Sequence, residues 1–70
     1  MPLIIAPEGR SLLVKKVIAD SKTRKHLESL GIVENQTIEI MSKQGRGMIV
    51  LINSTRLALD KNISSSIFVE

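Results

Sequence analysis

One short stretch, Asp20–Ile32 (DSKTRKHLESLGI), reads as a helix, and it interrupts a chain that otherwise reads as β-strands. Asp20 or Ser21 can accept from the free amides of a first helical turn. Thr23, Leu27 and Leu30 fall at i, i+4 and i+7 and so share one apolar stripe. Lys22, Lys25, Glu28 and Ser29 lie away from that stripe. Gly31 occupies the position just past the last turn, where a left-handed backbone is needed and a Cβ is costly. Ile32 is then the apolar residue that folds back against the helix end. A single main helix within Asp20 to Leu30, with Leu27 and Leu30 facing inward, is the expectation.

The flanking segments are short and aliphatic, separated by turn residues. Pro7 and Gly9 make APEGR (6–10) a turn. SLLVKKVI (11–18) favours a strand, but adjacent Lys15 and Lys16 must point to opposite faces, which suits a place near an edge or a bend more than the centre of a sheet. Asn35, in a second turn, tolerates a left-handed backbone. TIEIMSK (37–43) alternates with Ile38 and Ile40 inward and Glu39 outward. QGRG (44–47) is a hairpin turn, and Asn53-Ser54 is a two-residue one. Between them, MIVLI (48–52) is apolar on both faces, so it is either the most buried strand or one awaiting a partner. TRLALD (55–60) continues as a strand, residues 62–65 can make one helical turn, and SIFVE (66–70) closes as a last strand. About five short strands with one inserted helix and tight turns describe a mainly β protein built as a small, partly open barrel. At 70 residues the chain is one domain, residues 1–70, burying only ~60% of the surface its unfolded form exposes.

Composition removes several functions. Phe68 is the single aromatic, so neither an aromatic-lined groove for proline-rich peptides nor a base-stacking platform can be built. No cysteine is present, which excludes disulfides and thiolate metal sites and suits a reducing cytosol. No apolar run approaches the ~20 residues of a membrane span, and the first residues lack the basic region of a signal peptide. His26 is the only histidine, and no Asp/Glu cluster stands at ligand spacing around it, so it reads as a boundary residue and no cofactor or metal is expected. Serines lack a base and an orienting acid, and the acids stand singly, so no catalytic set is visible. The net charge of +3 concentrates at the strand-to-helix junction, where Lys15, Lys16, Lys22, Arg24 and Lys25 face only Asp20. That cluster is either a docking patch for an acidic protein or a phosphate backbone, or a solvated face.

At RKHLESLGI (24–32) the chain resembles the FeoA family, small cytosolic accessory proteins of ferrous-iron uptake. The opening MPL with Gly9, the helix end carried by Leu27, Leu30 and Gly31, the strand Leu57-Ala58-Leu59, and the final Ile67 and Val69 match that family in order and spacing. Asn35 replaces the family's usual glycine, Asp60 a basic residue and Ser64 an alanine, and the central hairpin is shortened to KQGRG (43–47). The resemblance implies an SH3-like barrel with the helix across one end. It also implies a non-enzymatic, cytoplasmic role beside FeoB, the membrane transporter with a cytosolic G-protein domain, with the basic outer face free for a partner. A similar SH3-like module occurs in iron-dependent repressors, so a regulatory role is one alternative. A small basic barrel binding nucleic acid is another, and the missing stacking aromatics count against it.

Overall fold

The computed structural model describes all of residues 1–70. Five antiparallel strands form one sheet: β1 (Ser11–Val17), β2 (Thr37–Gln44), β3 (Gly47–Ile52), β4 (Thr55–Asp60) and β5 (Ile67–Val69), in the spatial order β4-β3-β2-β1-β5. The sheet curls around a core without closing, because β4 and β5 end it and do not pair with each other. Helix α1 (Ser21–Ser29) connects β1 to β2, and α2 (Lys61–Ser66) connects β4 to β5.

Alternation along the strands decides what is buried. Leu12 and Val14 of β1, Ile38 and Ile40 of β2, Met48, Val50 and Ile52 of β3, Leu59 of β4, and Ile67 and Val69 of β5 point inward and are shielded from solvent. On the opposite face of β3, Ile49 and Leu51 are half-buried, so this strand has no fully exposed residue.

Tight turns fix the register. Asn53 and Ser54 both hold positive φ (51° and 64°), the geometry of a two-residue type I′ hairpin. Asn35 is left-handed at φ 72°, as its short amide permits. Gly47 is required by close approach: a Cβ there would lie 2.7 Å from the Leu59 carbonyl oxygen of β4.

As the paired lysines suggested, β1 lies away from the centre of the sheet, beside the edge strand β5. A register shift between Val14 and Lys16 bends it, leaving Lys15 half-buried and Lys16 exposed. Two expectations need correction. First, Leu30 is not in the core. It is the C-cap residue of α1 and only half-buried, while Leu27 is 1% exposed. Second, residues before Gly9 are more than an opening turn. Leu3–Ile5 form a 3-10 turn whose Leu3, with Ala6, is fully buried, and the turn packs against α2 and β5. The N-terminal segment also covers the outer edge of β5: the Met1 ammonium donates to the Val69 carbonyl (2.8 Å), and the Val69 amide donates to the Met1 carbonyl (2.8 Å). The short helix expected at 62–65 extends to Lys61–Ser66.

Candidate docking surface

Helix α1 is set by its two ends. At the start, the Asp20 carboxylate accepts from the Thr23 amide at 2.7 Å, which holds the Asp20 pKa below its ordinary value. At the end, the Ile32 amide donates to the Leu27 carbonyl and the Gly31 amide to the Glu28 carbonyl, both at 3.0 Å. These two bonds with Gly31 at φ 94° form a Schellman motif, and its apolar contact is between buried Ile32 and Leu27. A Cβ at Gly31 would also lie 2.6 Å from the Asn53 side-chain nitrogen, so the helix end sits against the β3–β4 turn. Asn53 is held in turn by Gln36, whose side-chain amide donates to its Oδ1 at 2.7 Å.

From that anchor α1 extends beside β4, and a groove of about 570 Å³ remains between them. His26, Leu27 and Leu30 form one wall; Ala58, Leu59 and Asp60 form the other, with Met48 and Ile63 contributing apolar surface. Arg46, in the β2–β3 turn, stands at the rim. A second, smaller hollow adjoins at Arg46 and carries Lys43 and Lys61. Asp60 is the acid on the groove wall, and its carboxylate already accepts from the Ile63 amide (2.8 Å) as the N-cap of α2. Asp60, where the family favours a base, thus starts a helix. Ser64, where the family favours alanine, is buried with its hydroxyl donating to the Asp60 carbonyl at 2.9 Å.

The cationic residues divide into two groups. Lys22, Arg24 and Lys25 are exposed on α1 and take part in no ion pair. Lys15 and Lys16 instead engage the end of the chain: Lys15 Nζ lies 3.9 Å from a Glu70 carboxylate oxygen, and Lys16 Nζ lies 5.5 Å from the centre of the Phe68 ring. Sequence reasoning passed over Lys43 and Arg46 of the β2–β3 hairpin and Lys61, which is distant from them in the chain and meets them only because that hairpin packs near the start of α2. His26, read as a boundary residue, is exposed and borders the groove. No group of three or more His, Cys, Asp or Glu side chains comes together anywhere in the molecule.

The model of the FeoA domain matches residues 1–70, the whole chain. The chain belongs to the FeoA family. A relative in Methanocaldococcus jannaschii, named "Putative Fe(2+) transport protein A", is 28% identical over 69 residues, which is 99% of this chain and 84% of that protein. The solution structure of FeoA from Chlorobium tepidum superposes with a TM-score of 0.92 at 25% identity, covering 100% of this chain and 69% of the other. A crystal structure of an iron uptake regulatory protein (FeoA) gives 0.91 at 22% identity, covering 100% and 95%. A manganese-dependent transcriptional repressor shares the fold over 40% of its own length, with a TM-score of 0.89 at 19% identity. Membership in the FeoA family connects this chain with ferrous-iron transport, and the fold is the SH3-like one of the FeoA structures. No helix is long and apolar enough to cross a membrane.

Proposed function

We propose that this FeoA-family chain is a non-enzymatic, cytoplasmic accessory protein of ferrous-iron transport that acts by docking to the cytosolic part of a FeoB-type transporter. The observation that carries the reading is the open apolar groove between α1 and β4, bordered by cations that form no internal ion pairs. Such a surface suits an acidic protein partner, with apolar contact supplying affinity and charge supplying approach. Lys22, Arg24 and Lys25 extend the same basic character over the outer face of α1.

The test is direct binding. The purified protein, titrated into the cytosolic domain of its cognate transporter, is expected to bind saturably, with affinity falling as salt rises. Failure to bind at low and physiological ionic strength would overturn the reading. The shared fold of the manganese-dependent repressor favours a second reading, a module that regulates a partner within a larger assembly. Binding to a regulator in place of the transporter domain would select it.

A further inference from the structure

β4 is the one sheet edge left without a backbone partner. The outer edge of β5 is taken by Met1 and Pro2, whereas nothing pairs with the outer side of β4. Its register shows which groups are free. Across a two-residue hairpin the closing pair, here Ile52 and Thr55, exchanges hydrogen bonds, and the pattern then alternates. Leu57 and Leu59 therefore bond to Val50 and Met48, while Arg56 and Ala58, opposite Leu51 and Ile49, turn their amide and carbonyl groups away from β3. Both residues are exposed, neither has another backbone partner, and Ala58 lines the groove. An exposed edge of this kind is a template for a further strand unless something blunts it. Here no proline, bulge or inward charge interrupts Thr55–Asp60.

We infer that the groove between α1 and β4 takes a single extended segment of a partner protein, alternating apolar and acidic residues, which adds to the sheet as a sixth strand beside β4. This rests on the docking reading above and specifies its contact. The free groups of Arg56 and Ala58 call for a ligand that offers amides and carbonyls in strand geometry. Half-buried Leu30, Ile49 and Ile63 offer the apolar surface of the groove, over buried Leu27 and Met48. The charge is complementary to acids: Arg56 stands on β4 itself, and Arg46, Lys43 and Lys61 gather at the Asp60 end. The carboxylates nearby are Asp60 and Glu8, and both already accept backbone amides, from Ile63 and from Lys43. The far wall also limits the occupant. Because α1 bounds the groove, an entering strand has little room to carry a sheet behind it, which favours an isolated segment over the β4 edge of a second copy.

The experiment is amide hydrogen exchange with the cytosolic domain of the cognate transporter, followed by the same measurement on Ala58→Pro and Ala58→Val. In the free protein the Arg56 and Ala58 amides exchange fast, and at saturation they slow ~10-fold or more. Ala58→Pro removes only a donor that points away from β3, so its melting is close to that of the original, yet its affinity falls ~10-fold or more. Ala58→Val keeps the amide and retains binding. Binding with no protection at Arg56 and Ala58, and no loss in Ala58→Pro, would overturn the strand-addition inference and leave the docking reading standing. Absence of binding by the original protein would overturn the docking reading. An acetylated octapeptide of alternating Val and Glu then decides the edge alone: saturable protection of the two amides supports it, and unchanged exchange refutes it. Protection that rises with protein concentration alone, with a doubled mass in solution, would replace the partner segment by a second copy.

Discussion

The helix stripe makes a quantitative prediction that separates Leu27 from Leu30. Both are leucines on one face of α1, three residues apart, and the sequence treats them alike. In the structure both border the groove, but Leu27 is 1% exposed and lies in the core cluster, whereas Leu30 is half-buried at its open side. Truncating a fully buried leucine costs ~2–5 kcal/mol, through lost transfer energy and an unfilled cavity. A half-buried leucine at an open groove loses less apolar area and leaves no closed cavity, so ~1–1.5 kcal/mol is expected for Leu30→Ala. The whole domain of 70 residues holds only ~4–10 kcal/mol. Leu27→Ala therefore removes a large share of it, and at ~4–8 °C per kcal/mol its melting point should fall by ~8–40 °C, against ~4–12 °C for Leu30→Ala. With no Trp or Tyr, the assay is far-ultraviolet circular dichroism during thermal or urea unfolding. Equal losses in the two variants, or a loss below ~1 kcal/mol for Leu27→Ala, would show that α1 is not anchored through Leu27.

Gly31→Val should destabilise strongly, because a β-branched residue at φ 94° is strained and its Cβ would meet Asn53. Gly31→Asn suits the backbone but not the 2.6 Å contact, so Asn53→Gly should partly rescue it in a double-mutant cycle, and purely additive losses would disprove that contact. The depressed pKa of Asp20 means that its charged form is favoured in the folded state, so its contribution is present above its ordinary value of 3.8 and is lost as the pH falls through the lower folded value. Asp20→Asn should keep a cap but flatten the stability profile in that acid range, and an unchanged profile would refute this. Chelator treatment should leave the melting midpoint unmoved, and a large drop would reveal a structural metal. Reversing Lys22 and Lys25 to Glu should leave the fold intact and weaken docking to the transporter domain, most clearly in the on-rate at low salt. Unchanged binding would make the basic face of α1 a solvated surface.

What the sequence determined by itself is local. Positive-φ positions at Gly9, Gly31, Asn35 and Asn53 were legible because only a few residue types tolerate that backbone, so the turns announce themselves. The strand alternation and the capped helix were legible because their periods of two and 3.6 residues are written in adjacent positions. Tertiary structure decided everything that depends on residues far apart in the chain. Leu3 and Ala6 join the core only because the N-terminal segment pairs with β5, 68 residues away, and no local pattern marks that. Lys15 and Lys16, grouped with the helix cations by proximity in sequence, are drawn to Glu70 and Phe68 by the β1–β5 pairing. Leu27 and Leu30 were indistinguishable by periodicity, because a stripe gives direction but not depth; the 3-residue step along α1 carries one into the core and the other to the rim of an open groove. The free edge of β4 is likewise a property of strand order. Which strand ends a sheet is set by how five segments pair in space, and TRLALD reads the same in its middle as at its border.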